Sequence, residues 1–561
     1  MRLRLKHRRI RLIAALVSVA WLVRSADALV IRYPDGSVGN GCGVVNYMRE
    51  GVPPAKPAAP IVLPRSYVSA SGWFRIHYGA VSGDRNAVPL SDKNGNGIPD
   101  WVELVASAAD SILTTYRALG YTNSLNDGGT GGGPEYDIYL SNLSPQGVYG
   151  LTWPGPDGYM QMDNDYAESI YETNGEAGMR VTLAHEMFHA VQFTYWVGGN
   201  EVLWWQEATA VFMEEIVYPQ INDYLQYLNP NYFCSTLFED PSLPLHYSST
   251  SSCDAHMYGV AVFCHFLNES NPAHGQEAIR YSFERQRDLR SGDLSVVIRA
   301  LEAKMDQPIR DLLATFWVWS YFSGSRTRPG LFFHEASAFS SPPPSKVSPE
   351  KWVVENLSAK GSVQGSADAS GLGAWIIRFA PDRSVGGLRL HLAASGATAD
   401  QWAWRVAVAD RDSVRIFAPH DGEVLVSNWD AASDVVLVGA NGSLLSQRSE
   451  FSYTATYDRE LTRPAPEALE LVLGQNRPNP FNTRTSFPFH ISASAAVTAI
   501  VYDVAGRSVR TILASEPFGS GDHTVEWDGF ADDGKLAGTG LYLLHVRTGN
   551  VARSRRMILL R

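Results

Sequence analysis

Two periodicities alternate along this chain and divide it into regions. The segments 73–78 (WFRIHY) and 136–140 (YDIYL) alternate and predict strands. Segments 148–152 (VYGLT) and 158–162 (GYMQM) predict a hairpin. The period then lengthens. Val181, Leu183, Ala184, Met187, Phe188 and Val191 recur at helical spacing with no breaker between them. Gly198, Gly199 and Asn200 predict a turn, and 203–215 (LWWQEATAVFMEE) predicts a second helix returning antiparallel. A further helix is expected from Trp101 to about Leu119, closed by Gly120, and helical signals continue to Phe322.

Past Ser340-Ser341-Pro342-Pro343-Pro344-Ser345 the helical period ends. Short alternating runs at 374–379, 402–408 and 435–438 predict a β-sandwich. A second break falls at Arg463-Pro464-Ala465-Pro466. The fold class expected is multidomain: an α+β domain followed by two all-β sandwiches. The expected boundaries are 29–65 for an N-terminal segment, 66–340 for the α+β domain, and 346–462 and 467–561 for the sandwiches. A length of 561 residues suits three or four cores better than one.

The N-terminus changes the compartment. Arg2, Arg4, Lys6, Arg8, Arg9 and Arg11 precede an apolar run at 12–23, and Ala26-Asp27-Ala28 offers small residues for cleavage. This predicts a signal peptide over 1–28, too short for a membrane span, and a mature chain starting near Leu29. No other apolar run approaches spanning length. The protein is expected to be secreted or held at the cell surface. The net charge of −11 becomes more negative once the basic leader is gone, which argues against nucleic acid as a partner. In an exported chain the four cysteines Cys42, Cys234, Cys253 and Cys264 can pair. Cys234 and Cys253 flank one Ser-rich loop, Cys264 lies on an apolar helix face, and sequence does not choose among the pairings.

The candidate chemistry sits in His185-Glu186-Met187-Phe188-His189. Positions i and i+4 share a helix face, so two imidazoles can hold one Zn²⁺ with the glutamate beside a metal-held water. A third ligand is expected from the returning helix, where Glu207 is the carboxylate near its start. Glu214 or Glu215 is the alternative ligand, but they fall two turns later and better suit a supporting role or a solvated face. A second pattern, Asp92-x-Asn94-x-Asn96-Gly97-Ile98-Pro99-Asp100-x-x-Glu103, places oxygens where Ca²⁺ loops use them, with the Ile98 carbonyl among them. Its alternative is an Asn/Gly turn capping the helix from Trp101. Either way its role is structural. The glycines at 128–133 lack the lysine and helix of a phosphate loop.

The HExxH and Trp205-Gln206-Glu207-Ala208-Thr209-Ala210 pair resembles gluzincins, the HExxH…E metalloproteases, and the aminopeptidase N-like and hyicolysin-like peptidases among them. The resemblance spans about 250 residues and includes putative secreted bacterial metalloproteases with a calcium-like loop. It implies a zincin-like domain with His185, His189 and Glu207 as zinc ligands and Glu186 as general base. It further implies that Tyr258 steadies the oxyanion, with His256 as the weaker choice, and that the hairpin before the zinc helix docks substrate backbone. Protein or peptide substrates follow. An aminopeptidase would need an acidic cluster for the substrate amine, and no GAMEN-like segment is present. A non-catalytic adhesin keeping zinc for stability is the rival reading, against which an intact Glu186 argues.

The last hundred residues carry Leu473-Gly474-Gln475-Asn476-Arg477-Pro478-Asn479-Pro480, Tyr502-Asp503-Val504-Ala505-Gly506 and a strand-like end at Arg555–Leu560. They resemble the Ig-like C-terminal domain of type IX secretion cargo, akin to the flagellar hook-capping Ig-like fold. That resemblance implies outer-membrane secretion machinery as a partner. A carbohydrate- or wall-binding sandwich is the alternative.

Overall fold

The computed structural model describes residues 31–32, 38–39, 60–121, 125, 128–146, 148–155, 157–167, 172–195, 200–229, 233, 235–247, 254–328, 330–342, 353–410, 413–462, 471–492, 495–504, 506–519, 521–549 and 551–561. The expected signal peptide, Cys42, Cys234, Cys253, the turn glycines Gly198 and Gly199, and the breaks at 343–345 and 463–466 lie outside them. The short strands β1 (Ile31–Arg32) and β2 (Val38–Gly39) pair antiparallel.

A five-stranded sheet organises the first unit. It contains β3 (Arg65–Val68), β4 (Phe74–Tyr78), β5 (Tyr136–Leu140), β6 (Gly150–Trp153) and β7 (Tyr159–Met162), in the order β3-β4-β5-β7-β6. The three central strands are parallel and both edge strands antiparallel. Parallel neighbours need a crossover, and α1 (Asp100–Ala118) supplies it between β4 and β5. Strand β5 is buried at all five positions, so the Asp137 carboxylate inside it needs partners. His77 Nε2 lies 2.9 Å from Asp137 Oδ1, and the Tyr139 hydroxyl donates to Oδ2 at 3.3 Å.

The helices α2 (Gly175–Tyr195), α3 (Leu203–Val217), α4 (His256–Gly259), α5 (Ala261–Ser270), α6 (Gly275–Leu289), α7 (Leu294–Met305) and α8 (Ile309–Tyr321) follow. Helix α2 is buried at almost every position from Gly178 to Gln192, because α1 and the sheet cover one side and α3 the other. Tyr116 on α1 donates its hydroxyl to the Ala184 carbonyl at 2.7 Å, and its ring meets Phe188 edge-on at 5.3 Å. These contacts fix α2 against the sheet. Cys264 is a buried free thiol on α5.

The second unit is a sandwich. One sheet runs β13 (Val414–Phe417), β12 (Trp402–Ala409), β15 (Asp434–Asn441), β10 (Ala374–Phe379), β8 (Val353–Val354). The other runs β14 (Glu423–Val426), β11 (Gly387–Ala394), β16 (Ser449–Asp458), β9 (Ser362–Ala369). Leu388, Leu390, Val406, Leu437 and Phe451 fill the space between them. The far face of the first sheet is also covered: Ala374, Ile376, Ala407, Val436 and Val438 join the core of the helical unit under α8. Burial on both faces is why 435–438 reads Val-Val-Leu-Val without alternation. Arg405 donates to Asp311 across the seam at 2.8 Å.

The third unit pairs β17 (Leu471–Leu473), β18 (Thr485–Ile491) and β21 (Gly521–Trp527) in one sheet. The other holds β20 (Ser508–Phe518), β19 (Ala495–Asp503), β22 (Gly540–Thr548) and β23 (Val551–Leu559). Phe487, Val501, Trp527 and Leu544 lie in its core. Arg555 on β23 reaches the helical unit, donating to the Gly330 carbonyl at 2.7 Å. Among the described residues no helix is long and apolar enough to cross a membrane.

Candidate metal centre

His185 and His189 stand one turn apart on α2 and point at Glu207 on α3. One nitrogen or oxygen of each lies within 4.8 Å of the others, and this is the one such group of His, Cys, Asp or Glu among the described residues. The two Nε2 atoms are 2.9 Å apart, and Glu207 Oε2 lies 3.4 Å from His185 Nε2 and 3.6 Å from His189 Nε2. All three side chains are buried, Glu207 and His189 completely.

The outer nitrogens are held. His185 Nδ1 meets Glu214 Oε1 at 2.7 Å, and His189 Nδ1 meets Gln192 Oε1 at 2.8 Å. The Gln192 amide is fixed in turn by the Gln206 carbonyl and the Thr209 hydroxyl, each at 3.0 Å. With Nδ1 donating outward, each Nε2 turns its lone pair inward. Two facing lone pairs and a buried carboxylate whose oxygens both lack hydrogen bonds form a costly arrangement unless a cation joins them. The three residues therefore fit a divalent metal, and their N₂O donor set suits Zn²⁺.

Electrostatics agree in sign. Burial would raise the Glu207 carboxyl, but His189 and His185 pull it down to about 2. Burial opposes charge on His185, yet the neighbouring Glu207 and Glu214 carboxylates outweigh it and raise its pKa well above the usual imidazole range. The pull of these acids marks a centre that favours positive charge.

Strand β6 is the sheet edge nearest this centre. Thr152 Oγ1 on it donates to Glu186 Oε2 at 2.6 Å. The approach is close because residue 150 is glycine: a Cβ there would come within 2.7 Å of Glu186 Cγ and 2.8 Å of Thr182 Cγ2. Glu186 is 2% exposed, on the same helix as both histidines.

The other expected residues divide. Tyr258 on α4 is buried and stacks on Tyr227 with ring centroids 5.0 Å apart. Burial raises the Tyr227 hydroxyl, and the charges of Asp223, Glu214 and Glu207 add to it, so this tyrosine pair borders the acidic side of the centre. His256 turns away, its Nε2 3.1 Å from the Pro244 carbonyl, and burial lowers its pKa. Glu214 supports His185, whereas Glu215 faces a separate cluster with Glu335, Glu269 and Arg556. In the loop at 92–103, the Asp92 carboxylate accepts the backbone N–H groups of Gly95, Asn96 and Gly97. Asn94 and Asn96 donate to Glu103 at 2.9 and 2.7 Å. Asp100 does not join them; it turns out to the Ser91 hydroxyl and the Lys93 backbone N–H. Ile98 closes the turn by donating its N–H to Asn96 Oδ1. Thr152, Gln192 and Tyr227 were not singled out by sequence. Only the position of Gln192, three residues past His189 on the same face, carried a signal.

Residues 481–550 match the FlgD Ig-like domain model, so the third unit is an Ig-like domain. No curated protein matches the chain. Two solved structures from Porphyromonas gingivalis show a weak likeness. PorZ, a surface component of the type-IX secretion system, is 16% identical over 19% of this chain and 14% of its own, with a TM-score of 0.12. Dimeric latent PorU is 13% identical over 37% of this chain and 18% of its own, with a TM-score of 0.16. A DUF4785 family protein from Legionella pneumophila is 6% identical over 35% of this chain and 64% of its own, at 0.14. This chain thus spans less than a fifth of the PorZ and PorU chains, and at such scores the likenesses place neither fold nor activity.

Proposed function

We propose that the chain is a secreted zinc-dependent endopeptidase with a zincin-like catalytic unit. The observation that carries this reading is Glu207: a fully buried carboxylate, both oxygens without hydrogen bonds, facing two inward imidazole nitrogens. A Zn²⁺ held there would polarise a peptide carbonyl and make a water nucleophilic near neutral pH. Glu186, anchored by Thr152, takes the proton of the attacking water and passes it to the leaving amine. Strand β6, outermost in its sheet, pairs with an extended substrate. Tyr258 steadies the oxyanion. The loop at 92–103 binds Ca²⁺ and stiffens the start of α1.

We also propose that the Ig-like domain engages outer-membrane secretion machinery. The matched model at 481–550 and the pattern at 473–480 support this, and deletion of 467–561 would then hold the protein inside the outer membrane.

Casein digestion by zinc-loaded wild type and Glu186→Gln tests the enzyme reading. The variant should keep zinc and fold and lose activity by about 10²–10⁴. Equal digestion by both, or none by either across broad peptide libraries, would favour an adhesin with a structural zinc site.

A further inference from the structure

Residues 241–245 precede α4 in the chain, and the sandwich grips them from outside the helical unit. The Ala374 amide donates to the Pro241 carbonyl at 2.7 Å and the Ser370 amide to the Ser242 carbonyl at 3.0 Å. The Leu245 amide donates back to the Leu372 carbonyl at 3.1 Å. Arg448 adds a bond to Ser242 Oγ at 3.2 Å. Residues 370–374 form the turn from β9 to β10, and this turn is shaped to the contact. Leu372 is fully buried at φ 61°, in the left-handed region that leucine rarely takes. Such strain persists where surrounding bonds over-determine it. Here the Leu372 amide donates to the Asn441 carbonyl while its own carbonyl takes Leu245. The contact also needs glycine at 373, where a Cβ would come within 2.6 Å of the Ser242 carbonyl oxygen.

The same strap meets α4. His256 opens that helix and is fully buried. A carbonyl only accepts, so His256 Nε2 carries the proton and donates to the Pro244 carbonyl at 3.1 Å. His256 Nδ1 is buried with no hydrogen bond among the described residues, so the ring is tied to the strap through Nε2. Two residues on, Tyr258 stacks on Tyr227. Gly259 keeps this approach close, since a Cβ there would stand 3.4 Å from the Tyr227 carbonyl oxygen. A helix of four residues does not hold itself, so the position of α4 is set by what it touches.

We propose that the sandwich braces α4, and with it Tyr258, through residues 241–245 and the His256–Pro244 bond, which makes His256 a positioning residue. The role of Tyr258 in the reaction rests on the peptidase reading; the brace itself does not.

The test follows hydrogen exchange of the full chain on peptides covering 241–247, 255–260 and 370–374. His256→Leu should raise exchange at Leu245 about tenfold, the scale of a buried acceptor left unpaired. His256→Gln, whose amide N–H reaches the same carbonyl, should recover most of that. Gly373→Ala changes only the sandwich, and should raise exchange at Leu245 and also at Gly259 inside α4. Wild-type exchange at Gly259 in Gly373→Ala overturns the brace, and so does a rise spread evenly over the helical unit, α1 included. A second arm measures peptide cleavage. Gly373→Ala and His256→Leu should each lower kcat about tenfold with KM little changed, and should cost little more in a Tyr258→Phe background, where the group they position has lost its hydroxyl. Losses that add in full overturn the action through Tyr258. No turnover by wild type, with the exchange pattern as expected, would sink the peptidase reading and keep the brace.

Discussion

Thr152 Oγ1 donates to Glu186 Oε2 at 2.6 Å and lies 3.0 Å from the Glu186 backbone oxygen, so one hydroxyl on the sheet edge holds the carboxylate that the HExxH motif provides. Thr152→Val keeps the side-chain shape and removes the donor. A hydrogen bond to a charged group is worth roughly 1.5–3 kcal/mol, so kcat should fall about ten- to hundredfold. KM should change little, because Thr152 positions the base and does not hold substrate. Thr152→Ser should restore most of the rate. Steady-state kinetics with one peptide check this, and a loss confined to KM would remove Thr152 from the role.

Removal of any inward donor should empty the metal centre. His185→Ala, His189→Ala and Glu207→Gln should each fall far below one zinc per chain by elemental analysis. Glu214→Gln should still bind, with affinity lower by about 10–100-fold, because it loses only the group that orients His185. Chelator competition reads the difference. Full zinc retained by Glu207→Gln would show that another residue is the third ligand.

Calcium should raise the melting temperature in proportion to the logarithm of its concentration, if the loop at 92–103 binds it. The carboxylates of Asp92 and Glu103 already face backbone and amide donors within the loop. Asp92→Ala with Glu103→Gln should abolish the shift and leave zinc bound. The same melting temperature in EGTA and in millimolar Ca²⁺ would leave the loop as a helix-capping turn.

A buried acidic cluster should make the helical unit less stable as pH rises. Burial pushes Glu215 to about 8, with Glu335 adding to it, and Glu269 to about 7. Both native values lie above the ordinary carboxyl value of 4.5. The native state thus holds these protons more tightly than the unfolded chain, and their stabilisation is complete below that value and lost as pH climbs through 7 to 8. Tyr224 donates to Glu335 at 2.6 Å, His265 stands 4.0 Å from Glu269, and Arg556 of the Ig-like domain opposes both upward shifts. Calorimetry should give a lower melting temperature at pH 8.5 than at pH 5.5. Glu215→Gln and Glu269→Gln should flatten the slope, and Arg556→Gln should steepen it, since the ionised acids then lose their cation. A melting temperature that does not change between these pH values in Arg556→Gln would show that the cluster is hydrated.

Local pattern carried a good deal of this protein. The alternation at 136–140 and the helical spacing from Val181 to Val191 set strand β5 and helix α2, because pleat and helix periods are properties of the backbone alone. The four-residue spacing of His185 and His189 fixed their shared face for the same reason. Glu207 was legible as the acid near the start of a returning helix. The alternating runs at 374–379, 402–408 and 435–438 coincide with strands β10, β12 and β15, and the pattern at 473–480 pointed to the Ig-like class that the match at 481–550 supports.

Only the tertiary structure decided which outer groups meet the centre. Glu214 reaches His185 while Glu215, its neighbour, feels the charges of Glu335 and Arg556, since adjacent helical positions point about 100° apart and packing alone selects between them. Asp100 sits where the loop pattern places a ligand oxygen, but the Ser91 hydroxyl and the Lys93 backbone N–H hold its carboxylate instead. Thr152 lies far along the chain from Glu186. Their contact depends on a glycine that lets β6 close onto α2, which leaves no periodic trace. Sequence determined the elements and the shared face of His185 and His189. The fold decided that Thr152 holds the Glu186 carboxylate and that Glu214, not Glu215, meets His185.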